Sequence, residues 1–153
     1  VILSLMHLAA LQKRAFGLIT FEAHVVSQKF WPKGKAITLQ DKIDVAEISS
    51  NGAGTNFWRP LMAAFEFRQT EAALKPADIV LITDGSCDMN DDQIWALGNA
   101  KTNTNTRVHS ITVGDEDYSC VKKFSDHISQ VTDTGDIEVI KTLISSTASG
   151  WKK

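Results

Sequence analysis

The chain has 153 residues, of which 43% are hydrophobic and 22% are charged, and its formal net charge is −2. This length predicts a single domain at residues 1–150 with a tail at 151–153, and the composition is that of an ordinary soluble globular protein. The small negative charge, without a basic patch interleaved with aromatic residues, gives no reason to expect nucleic-acid binding. No apolar run approaches the roughly 18–20 residues that span a membrane, so we expect a cytoplasmic protein.

Cysteine spacing and the start of the chain give two further expectations. Cys87 and Cys120 form no C-x-x-C motif and no disulfide framework, so reduced thiols are expected. The chain begins at Val1, and residues 1–11 are apolar with no basic residues ahead of them, unlike a secretory signal. We interpret this stretch as a buried helix that starts inside a fold.

The first half of the chain is predicted to form a helix, a β-hairpin and two further helices. Residues 1–14 are rich in leucine, methionine and alanine and end in basic residues, as a helix does. A short gap joins the next two apolar runs, which indicates an antiparallel hairpin. Pro76 ends the last helix. The predicted bounds are 1–14 for the first helix, 15–21 and 25–31 for the strands, and 39–48 and 57–75 for the other helices.

The second half alternates strands and helices. It opens with the β-branched run Ile79-Val80-Leu81-Ile82, which is typical of a strand covered on both faces. Asn90-Asp91-Asp92-Gln93 resembles a capping box, and Ile94, Trp95 and Leu97 are predicted to form the buried face of the helix that follows. The predicted bounds are 79–83, 107–113 and 129–132 for the strands, 118–128 and 137–146 for the last two helices, and 101–106 for a polar connection.

This order of elements predicts an α/β fold. Strands that alternate with helices indicate a three-layer, doubly wound, mostly parallel sheet, to which the hairpin adds one antiparallel edge strand. Thr83-Asp84-Gly85-Ser86 follows the apolar run at the carboxyl end of its strand. Ligands bind at that end in open α/β sheets, so Asp84 is the first candidate site residue.

Three motifs, in this order and spacing, resemble a von Willebrand factor type A domain of the intracellular, CoxE-like kind. The first is an apolar helix that leads into a strand ending in phenylalanine, LAALQKRAFGLITF. The second is a glycine-rich loop with a threonine that opens a helix, NGAGTNFWRPL. The third is a strand that ends in aspartate and glycine, DIVLITDGS. The resemblance covers nearly the whole chain.

The resemblance implies a divalent metal, Mg²⁺ or Mn²⁺, at the upper edge of the sheet, in the family's metal-ion-dependent adhesion site. The family's threonine ligand corresponds to Thr55 and its aspartate ligand to Asp84. Hydroxyl, carboxylate and water oxygens are the ligands that such a hard cation takes. The implied role is protein–protein interaction rather than catalysis, in which the metal and the loops at 50–56, 83–91 and 114–117 grip an acidic residue of a partner.

The chain departs from the family pattern at its start, because no D-x-S-x-S motif occurs in it. The family places that motif, and the strand before it, directly ahead of the helix that begins here at Val1. The strand would lie in the middle of the sheet, between the strands predicted at 17–21 and 79–83. Either the chain is a fragment, or the element is lost and the metal site is incomplete. In the second case the two flanking strands pair directly, or a homodimer closes the gap because unpaired edges associate.

Simpler roles fit the same candidates. Asp84 ahead of Gly85 is typical of a turn, and Thr55 ahead of a helix is typical of an N-cap.

Three acidic and amide residues share the spacing that opens an EF-hand loop, namely Asp88, Asn90 and Asp92. The sixth and twelfth positions of such a loop are Gln93 and Asn99 in this chain, where glycine and glutamate are needed, so helix capping is the preferred interpretation.

The alternative function is an enzyme. Asp84 would serve a small metal-assisted hydrolase, or the chain would be a nucleotide-binding, Rossmann-like protein. Ser86 lies beside Asp84 but lacks a G-x-S-x-G elbow, and Cys87 would be reactive only if exposed. Gly52-Ala53-Gly54 lacks both the lysine of a P-loop and the spacing of a dinucleotide fingerprint.

Overall fold

The computed structural model describes residues 1–48, 56–84, 89–114 and 117–131. These residues form five strands and five helices, with one short 3₁₀ turn at Ala72–Leu74. The predicted last helix at 137–146 and the tail lie outside the described residues. The bounds are α1 (Ile2–Leu11), β1 (Phe16–Phe21), β2 (Val25–Trp31), α2 (Leu39–Ala46), α3 (Trp58–Thr70), β3 (Ile79–Thr83), α4 (Asp91–Thr104), β4 (Val108–Val113), α5 (Ser119–Lys122) and β5 (His127–Val131).

The strands form two sheets. The hairpin β1–β2 is a two-stranded antiparallel sheet, and β3, β4 and β5 form a three-stranded parallel sheet in that order. The prediction of an α/β protein with parallel strands is therefore confirmed, and so is the antiparallel hairpin. In the described residues, however, the hairpin is a separate sheet and not the predicted edge of the parallel one. Direct pairing of β1 with β3, which the sequence left open, is absent from the described part of the chain.

Contacts with α3 show that β1 and β3 run in the same direction. At the start of α3, the rings of Phe57 and Phe21, the last residue of β1, lie 6.1 Å apart. Near its end, a Cβ atom at Gly17 in β1 would lie 3.0 Å from Phe67. Arg68, in that last turn, donates to the carbonyl of Lys75, just before β3. Helix α3 therefore runs antiparallel to both strands, and its first residue lies at the carboxyl edge of the sheet.

The largest core cluster lies between α3, α4 and the parallel sheet. Strand β4 is buried from Val108 to Thr112, as expected of a strand with neighbours on both sides and helices on its faces. The buried members of the cluster are Phe57, Leu61, Phe65, Ile79, Leu81, Met89, Leu97, Val108, Val121 and Phe124. The hairpin has its own small cluster, made of Met6, Trp31 and Val45.

Two helix lengths differ from the prediction for local reasons. The predicted helix at 57–75 stops at Thr70, because Glu71 is extended (φ −95°, ψ 99°). Helix α4 continues through most of the predicted polar connection and ends at Asn105 in the left-handed conformation. The hydroxyls of Thr102 and Thr104 donate to carbonyls four residues earlier, so both are satisfied within the helix.

The predicted helix at 118–128 is wrong for most of its length. Only α5 is helical, and β5 begins at His127. The physical reason is a long-range contact: the backbone N–H of Asp126 donates to the carbonyl of Val108, and the Asp126 carboxylate accepts from the Val108 N–H at 2.7 Å. These bonds draw the chain alongside β4 before a second helical turn forms.

Two predicted buried surfaces are also corrected. Trp95 is 72% exposed, because it lies one residue, or about 100°, around the helix from Ile94, while Leu97 is fully buried. Helix α1 was predicted to be packed on most sides, yet Leu11 is 68% exposed and only Met6 is fully buried.

Candidate functional site

Asp84 lies at the carboxyl end of β3, immediately after the last strand residue. Its side chain is exposed, while Thr83 before it is buried. The Thr83 hydroxyl lies 3.4 Å from Asp84 Oδ1. The strand therefore delivers one solvent-accessible carboxylate to the edge of the sheet where ligands bind in this class of fold.

The neighbouring strand ends in a constrained turn. Gly114 follows β4 with φ +94°, a backbone conformation that residues other than glycine adopt only with strain. Its N–H donates to the Val131 carbonyl at 2.9 Å, and its carbonyl accepts from Gln130 Nε2 at 3.0 Å. The start of the loop after β4 is thus held against the end of β5, on the same edge as Asp84.

The start of α4 forms the predicted capping box. The Asn90 side chain accepts from the Gln93 N–H at 2.9 Å, and Gln93 Oε1 accepts from the Asn90 N–H at 3.1 Å. Because the side-chain oxygen of Asn90, Oδ1, accepts the capping bond, we assign Asn90 to helix capping rather than to calcium binding. Asp91 and Asp92 lie in the first turn, where negative charge is favourable.

Several candidates lie outside the described residues, among them Thr55, Gly52, Ala53, Gly54, Ser86, Cys87 and Asp88. The structure does place the start of α3, which follows Thr55, at the carboxyl edge. Asn56 Oδ1 accepts from the Arg59 N–H at 3.4 Å there, which is the bond of an N-terminal cap.

The described residues fit a hydrated divalent ion only in part. No group of three or more histidine, cysteine, aspartate or glutamate side chains that would hold a metal occurs among them. Mg²⁺ keeps several waters and is held through one or two carboxylates, so the exposed Asp84 suits it as one ligand. The rest of a coordination sphere has to come from residues beyond those described or from a bound partner.

The two histidines of the parallel sheet lie at the opposite edge from Asp84. His127 is the first residue of β5 and His109 the second residue of β4, and their ring centroids are 6.1 Å apart. Neither is placed to act as a base for a nucleophile near Asp84.

A buried polar cluster, which sequence reasoning missed, surrounds His109 at the amino edge. Asp78 Oδ2 lies 3.1 Å from Arg107 Nη2 and 3.6 Å from His109 Nε2, and Asp78 Oδ1 accepts from the Arg107 N–H at 3.1 Å. Nearby, Arg68 donates to the Thr106 hydroxyl and to the Lys75 carbonyl. Sequence reasoning could have found the Asp78–Arg107 pair from charge alone. These two residues carry opposite charges, and each directly precedes one of two adjacent parallel strands.

Asp78 makes stability depend on pH. Burial favours its neutral form, but interactions with His109 and with the backbone N–H and charge of Arg107 outweigh burial and lower the Asp78 pKa. A carboxylate whose pKa is lower in the folded state stabilises the fold above its unfolded pKa of about 3.9. That stabilisation is lost as the pH falls through the lower, folded pKa.

We therefore expect Asp78→Asn to lower the free energy of unfolding at pH 7 and to flatten its decline between about pH 4 and pH 2. The measurement is urea unfolding across that range. Glu66→Gln, on the exposed side of α3, controls for the loss of one carboxylate. An Asp78→Asn curve parallel to that of the wild type at acid pH would contradict the assignment.

Cys120 corrects the expectation of reduced thiols, because it is disulfide-bonded. It lies in α5, beside the fully buried Val121. Spacing alone gave no sign of this, since a disulfide depends on which residues the fold brings together.

The chain is similar to two proteins of Methanocaldococcus jannaschii, both described as uncharacterised. It is 32% identical to MJ0811 over 142 residues, which are 92% of this chain and 32% of that protein. It is 25% identical to MJ0077 over 124 residues, 81% of this chain and 30% of the relative. The chain thus spans about a third of the length of these relatives. No family model and no solved structure matches it. In the described part of the chain, no helix has both the length and the apolar character needed to cross a membrane.

Proposed function

We propose that the chain is a protein-interaction domain of the von Willebrand factor A type, with a doubly wound sheet and a recognition surface at its carboxyl edge. The observation that carries this proposal is the exposed carboxylate of Asp84 at the end of a parallel strand. The carboxyl ends of parallel strands are the usual place for ligands in open α/β sheets. The constrained turn at Gly114 and the capped start of α4 flank Asp84 on the same edge.

In this proposal the recognition surface consists of the loops at 50–56, 83–91 and 114–117. Asp84 and Thr55 supply oxygen ligands for Mg²⁺ or Mn²⁺, and a carboxylate from the partner protein completes the coordination. When bound, the ion contributes a positive charge that attracts the partner's acidic residue. The chain's own part is to hold the exposed Asp84 carboxylate at the carboxyl end of β3.

Titration of MgCl₂ and MnCl₂ by calorimetry tests this function. The wild type is expected to bind one ion, and Asp84→Asn is expected to bind it at least about tenfold more weakly, since loss of even an indirect ligand partner costs 10–100-fold. Glu66→Gln removes an exposed carboxylate from the middle of α3 and should bind like the wild type. Identical titrations for wild type and Asp84→Asn would end the proposal that Asp84 holds an ion.

A further inference from the structure

The hydroxyl of Thr112, near the carboxyl end of β4, is a buried polar group without a hydrogen-bond partner in the described part of the chain. The residue is only 1% exposed, and its Oγ1 atom makes no hydrogen bond there. An unpaired buried hydroxyl costs free energy, so such groups in folded proteins usually bond a protein group, a water or a ligand. The other buried, unpaired side-chain atoms in these residues belong to Arg68 and His109, near the amino edge.

Strand register places Thr112 beside Thr83, the residue that directly precedes Asp84. Thr112 and Thr83 are partners in the pairing of β4 with β3, and neighbouring strands lie about 4.8 Å apart. The Thr83 hydroxyl is in turn 3.4 Å from Asp84 Oδ1. Two buried hydroxyls and one exposed carboxylate therefore lie next to one another at the carboxyl edge of the sheet.

The Thr112 side chain lies on the face of the sheet that α3 covers. Side chains alternate between the two faces of a strand, so Thr112 shares a face with Val108, and Thr83 shares one with Leu81. Val108 and Leu81 both belong to the main core cluster together with Phe57, which directly precedes α3. The hydroxyl is thus on the side of the sheet where α3 begins, beside the strand end that carries Asp84.

The neighbouring strand β5 does not supply a partner for this hydroxyl. Gln130 pairs with Thr112 on the other side of β4, but its Nε2 atom donates to the Gly114 carbonyl at 3.0 Å. The Gln130 amide therefore holds the turn after β4 instead. The Thr112 hydroxyl is left to bond a molecule bound at the carboxyl edge.

A hydrated divalent cation at Asp84 matches this arrangement. Mg²⁺ is usually held through one or two carboxylates and keeps several of its waters. A hydroxyl oxygen can accept a hydrogen bond from such a water without contacting the ion itself. Groups that bond the ligands of a metal in this way typically change its affinity by 10–100-fold.

We propose that Thr112 is a positioning residue of the metal site at the carboxyl edge, and that its hydroxyl accepts a hydrogen bond from a water bound to Mg²⁺ or Mn²⁺ at Asp84. This inference rests on the proposed function, because it needs the ion. It has a consequence that a purely structural role lacks. Thr112 lowers the stability of the metal-free protein, since its hydroxyl is unpaired there, and it raises the affinity for the ion.

Thr112→Val tests the proposal, because valine keeps the shape of the side chain and removes the hydroxyl. Without added metal, the variant is expected to melt about 2–4 °C higher than the wild type, since a buried unpaired group is lost. In calorimetric titrations with MgCl₂ and MnCl₂, it is expected to bind at least about tenfold more weakly. Thr112→Ser keeps a hydroxyl and should bind the ion like the wild type.

Thr106→Val is the matched control, because it makes the same change at a buried threonine whose hydroxyl is already bonded. Thr106 is 4% exposed, accepts from Arg68 and shares a hydrogen bond with the Thr104 hydroxyl. It lies at the amino edge, away from Asp84. This variant is expected to melt at a lower temperature than the wild type and to bind the ion equally well.

Three results would overturn the proposal. Wild-type ion binding by Thr112→Val, with weakened binding by Asp84→Asn, would remove Thr112 from the site and leave the proposed function standing. A metal-free Thr112→Val that melts at a lower temperature than the wild type, or does not fold, would show that the hydroxyl has a partner within the protein. Titrations without binding for the wild type would remove the proposed function and this inference together.

Discussion

Phe57→Ala is expected to lower the free energy of unfolding by about 3–5 kcal/mol, the usual cost of removing a fully buried phenylalanine side chain. Phe57 has no exposed surface, and its ring packs edge-on against Phe21 at the end of β1. It also belongs to the main cluster beneath the parallel sheet. The substitution therefore opens a cavity where α3 links the two sheets. Urea unfolding followed by circular dichroism measures the change.

Trp95→Ala is the matched control, because it removes a larger aromatic side chain that is 72% exposed on α4. Its effect is expected to stay within about 0.5 kcal/mol. Equal destabilisation by the two substitutions would mean that Trp95 is buried in solution, and would contradict a core that contains Phe57 and leaves Trp95 outside.

Arg68→Met is expected to lower the free energy of unfolding by about 1.5–3 kcal/mol, the range for hydrogen bonds that involve a charged group. Arg68 is only 6% exposed and bonds both Thr106 and the carbonyl of Lys75. These partners precede β4 and β3, so one side chain joins the end of α3 to the amino ends of two strands. Burial lowers the Arg68 pKa, and the negative charge of Asp78 offsets part of that lowering. The guanidinium remains protonated.

Arg59→Met makes the same chemical change on an exposed position of the same helix and should be nearly neutral. Methionine fills much of the arginine volume, so the difference between the two variants reports the polar contacts rather than lost packing. If Arg68→Met were as stable as Arg59→Met, the buried guanidinium would contribute no net stability.

The elements that the sequence predicted best are those with a strong local pattern. Strand β2 matches its predicted bounds of 25–31, and β3 matches 79–83. The capping box at Asn90 has both of its reciprocal bonds. Alternation along a strand, β-branched runs and cap spacing depend only on neighbours within a few residues. These patterns therefore indicate the local structure without knowledge of the tertiary fold.

Errors arose where a distant contact overrode the local pattern. The apolar spacing at 118–128 favours a helix, but the bonds between Asp126 and Val108 begin β5 at His127 instead. The candidate site shows the same division. The apolar run before Asp84 predicted a carboxylate at the carboxyl end of a strand, whereas no local pattern joined Asp78 to His109 or linked Cys120 to a disulfide.

The sequence by itself determined an α/β protein, a β-hairpin, and a strand that ends in an aspartate at the carboxyl edge of the sheet. Only the tertiary structure decided that the hairpin and the parallel sheet stand apart, with an apolar slot between β1 and β3. The reason is physical: periodicity fixes which face of an element is buried, but strand pairing is a relation between segments about 60 residues apart, and only packing around α1 and α3 sets whether those strands meet.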